Sequence, residues 1–149
     1  MANVKASECA AVLGAIDPDV TAAGTVTTGW IDASEFDRYL AIVQAGTLGS
    51  SATLDAKLEQ ATDSSGTGAK DITGKAITQL TQGSPDDSDK QALIDLRQTE
   101  LDLTNSFTHF RLSVTVATAS SDVGAVVLGF FPNYSPASDS DAATVAEIV

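Results

Sequence analysis

The chain has 149 residues, 20 acidic and 8 basic, for a formal charge of −12. That length suits one domain whose core needs neither disulfide nor metal. Affinity for nucleic acid and for anionic lipid comes largely from Lys and Arg, so an acidic chain without a basic run has neither nucleic acid nor a membrane surface as its expected partner.

Residues 1–19 show no strand alternation and are expected to form an N-terminal arm. Met1 to Lys5 does not read as a signal peptide. The apolar run Cys9 to Ile16 (CAAVLGAI) is ended at once by Asp17-Pro18-Asp19. It is too short to span a bilayer and at the bottom of the range for a secretory segment. A soluble product made in the cytoplasm is the expectation. Cys9 is the single cysteine. It cannot close an internal disulfide or hold a metal alone, and it is expected as a small, partly buried residue.

Residues 20–134 are expected to form one all-β domain, a β-sandwich or jelly roll of about seven to eight antiparallel strands. Strands are predicted near 20–31, 36–45, 51–61, 70–82, 90–101, 107–118 and 122–131. The clearest signal is period two. Leu54, Ala56 and Leu58 alternate with Thr53, Asp55, Lys57 and Glu59; Phe110, Leu112, Val114 and Val116 alternate with His109, Arg111, Ser113 and Thr115. Such alternation marks a strand with one buried face. Within 70–82 the apolar parity slips between Ile72 and Ile77, and a bulge at Gly74 would restore it. Residues 84–101 are ambiguous: strand is preferred over 90–101, but Ser84-Pro85-Asp86-Asp87 would also start a helix.

Two runs, Tyr39 to Val43 and Val123 to Phe131, are apolar on both faces. They suit a central strand, or a strand whose outer face meets a partner. Polar turns at 46–51, 63–68, 83–89, 105–106, 120–122 and 132–133 separate the runs. Residues 135–149 form a C-terminal arm that starts as a Ser/Asp/Pro linker and ends with Val145, Ile148 and Val149. Apolar residues at a chain end suit either a docked arm or a frayed terminus. The residues singled out for an interface are Val123, Val127, Phe131, Tyr134, Val145, Ile148 and Val149.

No catalytic constellation is found. His109, the one histidine, lies on the polar side of a regular strand and reads as a solvated residue. One Cys and one His cannot build a zinc site. No phosphate-binding glycine pattern and no Gly-x-Ser-x-Gly elbow occur. The Asp-rich stretch Gly83 to Asp89 does not match a calcium loop and reads as an acidic turn. Asn133-Tyr134-Ser135 is a formal glycosylation sequon without meaning unless the chain is secreted. The expectation is a chain with no enzyme activity, cofactor or metal.

Trp30 to Tyr39 (WIDASEFDRY) leads into Leu40 to Gly46. Ser51 to Asp63 (SATLDAKLEQATD), Phe107 to Val114 (FTHFRLSV) and Val127-Leu128-Gly129 to Tyr134-Ser135-Pro136-Ala137 follow. This order resembles small β-sandwich structural proteins of tailed bacteriophages and related prophages, over roughly residues 25–137. The resemblance implies a cement or decoration subunit on the outside of the virion head, made in the bacterial host and bound to the major capsid protein. It transfers no site residue. The two-faced run at 123–131 adds an expected self-association, as a homotrimer. A neck, tail or host-attachment part and a carbohydrate-binding module are the alternatives.

Overall fold

Regular alternation becomes regular strand. Phe36–Ala45 (β4) buries every second side chain from Tyr39 onward and Thr53–Ala61 (β5) does so up to Gln60, as do Gln91–Arg97 (β8) and His109–Ala117 (β9) over most of their lengths. The computed structural model describes residues 3–149; Met1 and Ala2, the start of the expected N-terminal arm, lie outside the described residues. The remaining strands are Ala10–Thr21 (β1), Gly24–Thr27 (β2), Ile31–Asp32 (β3), Lys70–Ala76 (β6), Leu80–Thr81 (β7) and Ser121–Pro132 (β10). One helical turn, Ala6–Cys9 (α1), and three 3-10 turns at Gln98–Glu100, Leu103–Asn105 and Ala137–Ser140 complete the chain.

The strands form two antiparallel sheets. The first has the order β1-β10-β4-β8, and the second β2-β9-β5-β6, with β3 also on β9 and β7 also on β5. Counting β2 with β3, and β6 with β7, as interrupted strands leaves eight. The chain then crosses from one sheet to the other at every connection except that from β5 to β6. This path is a jelly roll, one of the ways a β-protein packs two sheets over a single core.

Tyr39, Val43, Leu96, Val123 and Val127 point inward from the first sheet, and Leu54, Leu58, Phe110, Leu112, Val114 and Val116 from the second. Each such side chain contributes on the order of 1.5–3 kcal/mol by leaving water. Tyr39 meets Phe110 edge to face, with ring centroids 4.6 Å apart. Its hydroxyl accepts a hydrogen bond from the Phe36 N–H at 3.2 Å, and burial pushes its phenol above the usual range.

Several expectations need correction. Residues 10–19 are not arm but most of β1, which pairs with β10. Two register shifts, between Val12 and Gly14 and between Ile16 and Asp19, break its alternation and hid the strand. Pro18 is tolerated because β1 is an edge strand. The strand expected at 20–31 is the end of β1 plus β2 and β3. The stretch 70–82 is likewise split into β6 and β7; Gly74, at φ +76°, lies inside an irregularity between the pairs Glu59–Asp71 and Lys57–Ala76. Over 84–101, strand prevails: β8 pairs with β4 from Arg97 to Gln91, and only Gln98–Glu100 turns into a 3-10 helix. Cys9 is exposed, because α1 is a surface turn ahead of β1.

Candidate interaction surfaces

The outer face of the second sheet is polar and internally paired. Thr25 and Thr115 share a hydroxyl hydrogen bond of 2.8 Å. Lys57 Nζ donates to Asp71 at 2.7 Å, a bond that holds its ammonium above the usual value. Arg111 Nε donates to Glu59 Oε2 at 2.7 Å while its guanidinium lies 4.5 Å over the Trp30 ring. His109 stands on the same strand, its Nδ1 2.9 Å from the Thr108 hydroxyl. These groups satisfy one another and leave a water-compatible surface.

The outer face of the first sheet is the opposite. Its register sets Ala15, Val126, Ile42 and Leu93 in one row across all four strands. The next row is Val12, Leu128, Leu40 and Asp95, and the one after it Ala10, Phe130, Arg38 and Arg97. Leu93 is 60% exposed, and Leu40, Ile42, Val126 and Leu128 are half-buried. A contiguous apolar patch of this kind is the sort of surface through which proteins commonly meet partners.

The two ends of this face differ in charge. At one end Arg38 and Arg97 stand directly opposite each other, an unfavourable cross-strand pair that Asp37 relieves on the Arg38 side. At the other end a shallow cleft of about 300 Å³ is lined by Pro18, Gln44, Gln91 and Gly124 together with Asp89 and Asp122. Gly124 is required there: a Cβ would stand 2.9 Å from Pro18, which the β1 bulge folds over it.

A third surface lies where β10 ends. Phe131 is 69% exposed and has φ +56°, a left-handed backbone that a bulky residue rarely adopts. Tyr134 follows at 87% exposure, and Val4 lies exposed beside Ser135 and Pro136. The chain then returns along the edge of β1. Ala137 is fully buried, Asp141 Oδ1 accepts the Val12 N–H at 2.7 Å, and the Ala142 N–H donates to the Val12 carbonyl at 2.7 Å. Beyond this clasp Val145 is half-buried, and Ile148 and Val149 are exposed.

The seven expected interface residues therefore separate into three groups. Phe131 and Tyr134 share one exposed loop, and Val145, Ile148 and Val149 lie on the C-terminal segment. Val123 and Val127 are corrected: both are core residues, closed between the sheets. On β10 the odd positions face inward and the even ones outward, so the outward set is Val126, Leu128 and Phe130. Reasoning from sequence missed these, along with Leu40, Ile42 and Leu93. The signal was the doubly apolar run itself, which shows that a second face is greasy but not which parity it has.

The Asp-rich turn at 83–89 is occupied by its own hydrogen bonds. Asp86 accepts from the Ser88 N–H, and Asp87 from the Thr81 N–H and Lys90 Nζ, which keeps both carboxyls below their usual values. Among the described residues no three His, Cys, Asp or Glu side chains gather to hold a metal. Among them also, no helix is long and apolar enough to cross a membrane.

No protein-family model matches the chain, and no curated protein matches it. Solved structures with a similar fold include a chain of Broad Bean Stain Virus, at 14% identity and TM-score 0.45, with 84% of this chain and 85% of that one covered. A chain of the Cowpea Mosaic Virus empty virus-like particle is similar at 11% identity and TM-score 0.46, covering 87% and 84%. A chain of infectious bursal disease virus, Gt strain, is similar at 15% identity and TM-score 0.45; 86% of this chain matches 33% of that one. These likenesses are too distant to define a family. The class is defined by the strand order: an eight-stranded jelly roll, an architecture found in viral capsid and lectin domains among others.

Proposed function

We propose that this chain is a structural protein of a virion, a cement or decoration subunit on the outer surface of a tailed-phage head. It binds the major capsid protein lattice through buried area and terminal segments, with no bond made or broken. The resemblance of its strand patterns to phage head proteins supports this reading. So does the acidic charge of −12, which suits a place outside the compartment that holds DNA. A jelly roll alone does not fix a function.

The observation that carries the proposal is Phe131. A bulky aromatic side chain held in water on a left-handed backbone costs roughly 1–2 kcal/mol. Retaining it is explained by a partner that buries the ring. Phe131→Gly should therefore stabilise the free protein by about 1 kcal/mol in urea unfolding and weaken its binding to preformed shells at least tenfold. Removing residues 143–149, beyond the clasp on β1, should weaken binding while leaving the circular-dichroism spectrum unchanged. Unaltered shell binding by both variants would overturn the reading. Copy number in a purified particle distinguishes the alternatives: near the number of lattice sites for a cement protein, six or twelve for a neck or tail part. A carbohydrate-binding module would instead lose glycan binding on Tyr134→Ala.

A further inference from the structure

We propose that the apolar outer face of the β1-β10-β4-β8 sheet is covered by the same face of a second copy. The two copies are related by a two-fold axis that runs across the strands, over the row of Ala15, Val126, Ile42 and Leu93. Three observations lead there.

The first is size. Four strands about 4.8 Å apart, with about 3.3 Å per residue along them, give this face roughly 600 Å². Two copies together cover about 1,200 Å², the lower bound for a specific interface. The second is composition. The centre of the face is Val126, Leu128, Leu40, Ile42 and Leu93, with charged groups only towards its rim, the arrangement of an interface core inside a polar margin.

The third observation chooses the partner and the axis. The chain carries −12, so two copies repel each other over most of their surface. This face is the exception, with Arg38 and Arg97 at one end, Asp89 and Asp122 at the other, and Asp95 between them on the β8 margin, two residues from Arg97. A two-fold across the strands reverses strand direction and keeps each strand over its own copy. Arg97 and Arg38 of one chain then come over Asp89 and Asp122 of the other, twice. Leu93 meets Leu93, and Ile42 meets Ile42. The like-charge pair Arg38–Arg97, unfavourable within one chain, gains an acidic counterpart. The three-fold association expected from sequence has no such layout, because it would set this face against a different surface of its neighbour.

The experiment is sedimentation velocity on the full chain, with circular dichroism on each variant to establish that it is folded. The wild type is expected to be a dimer at micromolar concentration. Leu93→Asp should be monomeric with an unchanged spectrum. Arg97→Glu should weaken the dimer at least tenfold, and adding Asp89→Lys to it should restore association, since both copies then carry the exchanged charges. In a Cys9→Ser background, Ile42→Cys should form a disulfide-linked dimer on mild oxidation, because a residue on a two-fold axis meets itself. A monomeric or trimeric wild type would overturn the proposal. So would a dimer indifferent to Leu93→Asp, or a monomer whose shell binding is lost on that substitution. The last result would mean that the face docks on the shell, leaving the proposed function standing without the dimer.

Discussion

The two sheets of this molecule share one interior and present opposite exteriors. On the second sheet, Asp55, Lys57, Glu59, Arg111 and Thr115 alternate with buried Leu54, Ala56, Leu58, Leu112 and Val116, and the polar residues pair with one another. On the first, β4 and β10 are apolar on both sides, so the face that should meet water carries Leu40, Ile42, Val126 and Leu128. Both are antiparallel and close over the same core, and their bulges and interruptions lie on strands other than β4 and β10. The difference is one of side-chain assignment, and it shows that stability and interaction are written on opposite parities of the same strands.

That comparison is broken most severely by moving a charge one residue along β10. Val127→Asp places a carboxylate in the core, where burying it unpaired should cost on the order of 3–5 kcal/mol and leave little folded protein by circular dichroism. Val126→Asp, on the other face, should leave the monomer folded. On the second sheet, Arg111→Met removes a half-buried ion pair and a stacked cation, and urea unfolding should show a loss of about 1–2 kcal/mol.

A smaller effect comes from pH. Lys70 holds the Asp102 carboxyl below its usual 3.8, the Arg97 N–H holds Glu100 below 4.5, and Lys90 holds Asp87 below 3.8. Each of these groups binds its proton more readily in the unfolded chain. Their contribution is complete above pH 4.5 and drains away as the pH falls below 3.8 through the depressed folded values. The urea midpoint should therefore fall with acid over that window, and less steeply in Lys70→Met. Smallest of all, Leu93→Lys should alter the stability of the monomer by less than about 0.5 kcal/mol, since its side chain touches little within one chain.

Where the rhythm was clean, the fold could be read from the residues alone. Phe36–Ala45 is the strand expected at 36–45, and Thr53–Ala61 lies inside that expected at 51–61. β1 was illegible because two bulges and Pro18 erase its period, and its partner β10 lies more than a hundred residues along the chain. β10 was legible as a strand and ambiguous as a surface. Val123 and Val127 are no more apolar than Val126 and Leu128, and only packing against the second sheet decides which pair is inside. The docking of Ala137 to Ala142 on β1 was invisible for the same reason as β1 itself: it depends on contacts between distant parts of the sequence.

The clasp on β1 has a consequence for how these molecules can meet side by side. An uncovered strand margin is a template on which another chain can lay a strand, and a sheet with two such margins can grow without limit. Here Asp141 and Ala142 occupy the amide and carbonyl of Val12, and Pro18 has no amide to offer. A neighbour's β8 margin thus meets a β1 margin already interrupted at Val12 and at Pro18. Growth of this sheet from the β8 of one copy onto the β1 of the next is hindered at those positions, which works against fibres when many copies are crowded together.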